Sequence, residues 1–173
     1  MLSESRAESL TYSPTGGSLG GPTPPGLRLR TWSTRLANGS FDRAVQAISN
    51  WDIHRGAGLA VAADGGIEVG TNVALSAPVP IGFVDATCRI VAVVDEPGRF
   101  GFAYGTLRVH PEAGEESFVV SCSGDTVEFD VVGISRPVQL LARAIPPLGN
   151  FLQDAAVRRY LAAMQRITGS EPA

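Results

Sequence analysis

The stretch from Gly58 to Ile134 constrains the fold more than any other part of the chain. Its short apolar runs are interrupted by Asp64-Gly65-Gly66, Pro78 to Pro80, Pro97-Gly98, Pro111 to Gly114 and Ser123-Gly124-Asp125. Apolar runs of this length, separated by turn residues at regular intervals, are expected to fold as an antiparallel meander of about six strands. The 173-residue chain is long enough to bury them in a single core.

The flanks have a different period. Leu27 to Leu36 has the Thr and Trp content of a strand, and Asn38-Gly39 reads as a turn. Ser40 stands at an N-cap position, and Phe41, Ala44, Val45, Ile48 and Trp51 follow at helical spacing. After Ser135-Arg136-Pro137 the helical period returns. Val138 to Ala144 is expected to form a first turn or two, Pro146-Pro147 to interrupt it, and Phe151 to about Ile167 to form the main helix. Leu152, Ala155, Ala156, Tyr160, Leu161 and Met164 would lie along its buried side. The domain plan is therefore an irregular Gly/Pro-rich arm over 1–26, one α+β domain over 27–168 and a flexible tail over 169–173.

The hairpin register can be worked out from the turns. A two-residue turn at Pro97-Gly98 sets Cys88 opposite Leu107, Ile90 opposite Gly105 and Ala92 opposite Ala103. A four-residue loop over Pro111 to Gly114 sets Leu107 opposite Phe118 and Gly105 opposite Val120. The turn Gly124-Asp125 pairs Phe118 with Val131 and Val120 with Phe129. One uncharged core face results, with Gly101, Ala103 and Gly105 at its middle. Those small residues fit either a close approach of the last helix or the floor of a ligand cavity. Phe100, Phe102 and Tyr104 would then lie on the opposite face, covered by the N-terminal arm or by a second subunit, the arm being favoured. Cys88 and Cys122 fall too far apart to bond.

Composition excludes several chemistries. All fourteen basic residues are Arg, so no lysine can form a Schiff base or act as nucleophile. A net charge of −3 gives no reason to expect nucleic acid or an anionic membrane as partner. No apolar run approaches the ~18 residues of a membrane span, and MLSESRAESL is unlike a secretory signal. A cytoplasmic protein is the expectation. Two cysteines and two histidines make no metal site, and Gly16-Gly17 and Gly20-Gly21 lack the context of a phosphate loop. Neither metal nor cofactor is expected.

The order strand, helix, antiparallel strands, long C-terminal helix resembles the helix-grip arrangement of the START and Bet v 1-like proteins. There a curved sheet wraps the final helix and often leaves an apolar cavity. More specifically, FAYGTLRVHPEAGEESFVV, with LTYSPTGG near the start, CRIVAVVDEPGRFGF before it, SRP after it and YLAAM at the end, resembles the domain-of-unknown-function 1990 family (uncharacterised protein family 0548). The resemblance runs through nearly the whole chain in order. It departs at Arg108-Val109, where Pro-Gly is common, and at Thr15-Gly16-Gly17, near an expected Gly-Ala-Thr. It implies kinship without an activity.

Two sites are therefore expected. A small apolar or amphipathic ligand would lie between sheet and helix, against Gly101, Ala103, Gly105, Leu107, Phe118, Val120, Phe129, Tyr160 and Met164. Alternatively, His110, Glu112, Glu115 and Glu116 would form an acid–base site on one hairpin loop, although solvated loop charges explain them as well. His54 reads as a helix-end or loop surface residue. A homodimeric scaffold is the third reading, so the chain is expected to be a monomer or a homodimer.

Overall fold

The Gly-containing turns that punctuate the sequence become the hairpins of one seven-stranded antiparallel sheet. A computed structural model describes residues 2–78, 82–137 and 146–170. The strands are β1 (Arg28–Leu36), β2 (Ala60–Ala63), β3 (Asn72–Pro78), β4 (Phe83–Glu96), β5 (Arg99–Thr106), β6 (Glu112–Ser123) and β7 (Thr126–Pro137). Their order is β1-β7-β6-β5-β4-β3-β2, so the first strand pairs with the last. Both two-residue turns form, since Glu96 pairs with Arg99 and Ser123 with Thr126. Gly98 (φ 74°) and Gly124 (φ 58°) supply the positive φ that these turns require.

The three helices that follow β1 lie on one face of the sheet. Helix α1 (Leu2–Ser5) belongs to the N-terminal arm; α2 (Phe41–Ser49), α3 (Asp52–Gly56) and α4 (Pro146–Thr168) follow. Ser40 does occupy the N-cap of α2, but its hydroxyl makes no capping bond. The apolar spacing suggested one helix from Phe41 to Trp51. Instead Trp51 adopts φ 63° and breaks the rod, and the chain restarts as α3. Gly56 lets α3 approach α4 closely, because a Cβ there would stand 2.9 Å from the Cβ of Ala163. In α4, Pro146-Pro147 begins the helix rather than interrupting it, since proline's missing N–H has no intrahelical partner in a first turn. The side chains buried on α4 include Val157, Tyr160, Ala163 and Met164, whereas Ala156 is exposed. The turn expected over Val138 to Ala144 lies outside the described residues, as do 171–173 of the expected tail.

Of the three register expectations one holds in full and one in part, both at the tight turns. Phe118 pairs with Val131 and Val120 with Phe129. Ala92 pairs with Ala103, but an irregularity between Ile90 and Ala92 then sets Ile90 opposite Tyr104 and Cys88 opposite Thr106. The β5–β6 register is different: Phe102 pairs with Phe118, and Gly105 with Glu115. Pro111 to Gly114 is not the loop, because Glu112 to Gly114 already pair with β7. A Cβ on Gly114 would come within 1.9 Å of the Ile134 carbonyl oxygen, so this glycine serves strand packing.

The resulting shift is odd, and an odd shift exchanges faces. Phe102 and Tyr104 therefore point into the helix-side core with Phe118, Val120, Phe129 and Val131. Full burial of Phe102 and Phe118 contributes about 2–3 kcal/mol each. Gly101, Ala103 and Gly105 face the other way, which corrects their assignment to a cavity floor. Gly101 is required by its neighbour strand, where a Cβ would stand 2.1 Å from the Phe118 carbonyl oxygen.

The N-terminal arm covers that second face. A Cβ on Gly105 would meet Tyr12 Oη at 2.5 Å and Leu10 at 2.9 Å, and the Ser117 hydroxyl donates to the Ser18 carbonyl. Arg89, paired with Gly105, donates to the carbonyls of Ser5, Arg6 and Glu8. The arm is thus the expected cover, but over glycines, Glu115 and Ser117 rather than over an aromatic stripe.

Candidate functional site

Consecutive residues of β6 alternate between the two faces, and this separates the hairpin carboxylates. Glu115 points to the arm side, where it is buried and accepts from Tyr12 Oη (2.6 Å), Gly16 N (2.8 Å), Ser18 N (2.9 Å) and Ser18 Oγ (2.6 Å). Glu116 points to the helix side and accepts from Tyr104 Oη at 3.0 Å. Glu112 is on that side too, where Gln153 Nε2 of α4 donates to its Oε2 at 3.4 Å. His110 is half-buried in the β5–β6 connection, and its Nδ1 accepts from Glu112 N at 3.0 Å. Burial holds its pKa down at about 4. The four residues expected in one solvated acid–base loop are thus divided between a loop and two faces of the sheet. The division follows from the strand period of two.

The groups on the helix side converge around a residue placed at the surface by sequence reasoning. His54 is fully buried, and neither ring nitrogen has a hydrogen-bond partner. Its ring centroid lies 4.7 Å from Phe118, 5.0 Å from Tyr160, 5.1 Å from Trp51, 6.0 Å from Tyr104 and 6.2 Å from Phe102. Trp51 breaks the helix and so turns the following residues inward, which is why α3 delivers His54 to the core. Desolvation, with a smaller effect of Arg55, lowers its pKa to about 3, so the imidazole is neutral.

Glu116 borders this cluster through Tyr104. Burial raises its carboxyl to about 7, opposed by the Tyr104 hydroxyl and assisted by the charge of Glu112. Tyr104 and Tyr160 both border the His54 ring, and desolvation keeps both tyrosines protonated. Cys88, also buried, is held as a thiol by desolvation and by Glu116. The group can therefore exchange a proton at Glu116 near neutral pH, hold that carboxyl through the Tyr104 hydroxyl, and offer one donor and one acceptor at His54.

Of the residues expected to bind a ligand, Phe118, Val120, Phe129, Tyr160 and Met164 are in this core. Leu107 is buried outside the main core cluster, and Gly101, Ala103 and Gly105 lie under the arm. His54, Trp51, Phe102 and Tyr104 were missed. The positive φ falls on Trp51 itself, a bulky residue that does not announce such a break, while the two aromatics were misplaced by the odd register shift.

At the far end of α4, Asp154 Oδ1 accepts from Arg30 (2.5 Å) and from Trp32 Nε1 (3.0 Å), tying the helix to β1. Among the described residues no group of three His, Cys, Asp or Glu converges as a metal site, and no helix is long and apolar enough to cross a membrane.

Comparison with known proteins places this geometry. A UPF0548 protein of Deinococcus radiodurans is 30% identical over 185 aligned residues, covering 97% of this chain and 92% of the relative. TTHA0849 from Thermus thermophilus shares the fold at a TM-score of 0.62 and 10% identity, over 82% of this chain and 97% of that one. A norcoclaurine synthase point mutant from Thalictrum, in complex with a transition state analogue, matches at 0.56 and 16% identity, over 82% and 94%. The architecture is the Bet v 1-like helix grip, a sheet closed on a C-terminal helix. The model of the domain of unknown function DUF1990 matches residues 11–163, and the chain belongs to that family.

Proposed function

We propose that the protein binds a small amphipathic molecule between the helix side of the sheet and α4, with His54 as its polar anchor. The observation that carries this reading is the fully buried imidazole whose two nitrogens lack partners inside a ring of five aromatic side chains. A buried unpaired polar group costs stability, roughly 1–3 kcal/mol. A ligand with a hydrogen-bonding group among these apolar walls would remove that cost, as in most small-molecule sites. The norcoclaurine synthase of this fold, complexed with a transition state analogue, supports the reading by analogy of fold. The thiols of Cys88 and Cys122 are both free, which accords with a cytoplasmic location.

The test is titration with the neutral fluorescent probe N-phenyl-1-naphthylamine. Wild type is expected to bind it saturably at one site, and Met164→Trp, which fills the interior from α4, to lose binding while keeping a cooperative thermal transition. Absent binding to wild type, or equal binding by the filled variant, overturns the assignment.

A further inference from the structure

The charges around the interior site select among ligands. Among the described residues Glu116 accepts from the Tyr104 hydroxyl, shares its side of the sheet with a second carboxylate, Glu112, and enters none of the ion pairs. Arg30, the cation that acts on Glu112, already binds Asp154. The walls beside Glu116 are aromatic, and ring faces attract cations. His54 adds an independent requirement, since its unprotonated nitrogen is buried with nothing to accept from. An anionic ligand would be repelled by two carboxylates, and a hydrocarbon would leave His54 without a partner and add none to Glu116.

Resting on the interior binding reading, we propose that the ligand is an organic cation, a primary or secondary ammonium on an apolar or aromatic body, with the ammonium donating to Glu116 and to the unprotonated nitrogen of His54 and the body among the surrounding rings. Charge-assisted hydrogen bonding to the carboxylate then distinguishes an amine from an alcohol of the same shape. Binding of the cation also fixes Glu116 in its ionised form, which burial alone disfavours.

The experiment displaces bound N-phenyl-1-naphthylamine with 4-phenylbutylamine or with 4-phenylbutan-1-ol. At pH 7.5 the amine is expected to displace the probe at a concentration at least about tenfold lower, equivalent to ~1.4 kcal/mol. In Glu116→Gln that preference is expected to fall below about threefold, with alcohol binding retained.

A second measurement needs no variant. The groups facing Glu116 are Glu112 on its own strand, Tyr104 on β5, Cys88 on β4 and Tyr160 on α4, with His54 of α3 in the same ring cluster. The tyrosines and the thiol stay protonated and His54 stays neutral, so Glu116, raised to about 7, is what titrates between pH 5.5 and pH 8.5 among these groups. The amine-over-alcohol preference should therefore grow across that range in wild type. If the probe binds and both competitors displace it equally, or the preference does not rise with pH, the cation assignment fails and the binding site stands. If the probe does not bind wild type at all, both fail.

Discussion

Glu115 and Glu116 are neighbours in β6, yet among the described residues one is buried and locked to the N-terminal arm by four hydrogen bonds while the other, half-buried on the helix side, takes a single bond from Tyr104. The first carboxylate is saturated with donors and holds structure together. The second is underprovided and near its titration point, which is what a binding or proton-transfer group needs.

Removing the saturated carboxylate should release the arm. Glu115→Ala leaves four donors without their acceptor and is expected to cost about 3 kcal/mol. Tyr12→Phe removes one donor and should cost about 1 kcal/mol. Denaturant unfolding measures both, and amide exchange at residues 11–19 should accelerate in Glu115→Ala more than exchange in β7.

The two glycines of β5 should respond differently to the same substitution. At Gly101 an added methyl meets backbone of β6, which cannot yield, so Gly101→Ala should destabilise by about 3 kcal/mol or more. At Gly105 it meets the side chains of Tyr12 and Leu10. Gly105→Ala should therefore keep the sheet and displace the arm near Tyr12, giving proteolysis near residues 10–12 with a smaller loss of stability than Gly101→Ala.

Replacing His54 should separate stability from binding. His54→Phe removes the unpartnered buried polar group from an aromatic surround, and the empty protein is expected to become about 1–2 kcal/mol more stable. Its affinity for 4-phenylbutylamine should fall at the same time. A destabilised variant with unchanged affinity would show that the imidazole serves packing instead.

The pH dependence of stability has two opposing limbs. The folded-state pKa of His54 lies below its unfolded value of 6.5, at about 3. Its contribution is present above pH 6.5 and is lost as pH falls toward 3. Glu116 is raised from 4.5 to about 7, so its contribution is complete below pH 4.5 and is lost as pH rises through 7. Denaturant midpoints across pH 4 to 8 should show Glu116→Gln removing the loss toward pH 7, and His54→Phe reducing the loss below pH 6.5.

The sheet was legible in the sequence because its turns are chemical. Pro97-Gly98 and Gly124-Asp125 define two-residue connections, and the Phe118–Val131 and Ala92–Ala103 pairings follow from them. The register between β5 and β6 was not, because nothing local shows that Glu112 to Gly114 pair with β7 instead of turning. That single odd shift put Phe102 and Tyr104 on the wrong side and hid half of the site's aromatic wall. His54 was illegible for a different reason: only the tertiary packing of α3 against α4 reveals that Trp51 takes a left-handed conformation. Within the site, Phe118, Tyr160 and Glu116 were named correctly, but the face that unites them was not.

The central claim is that the aromatic cluster around His54 holds a small molecule. Native mass spectrometry of the full chain, purified from its own host without denaturation, tests it most directly. The account predicts a species heavier than the 18.1 kDa chain by one small organic molecule, absent from Met164→Trp prepared in the same way. The bare chain mass in wild type, or the same adduct on the filled variant, would contradict it.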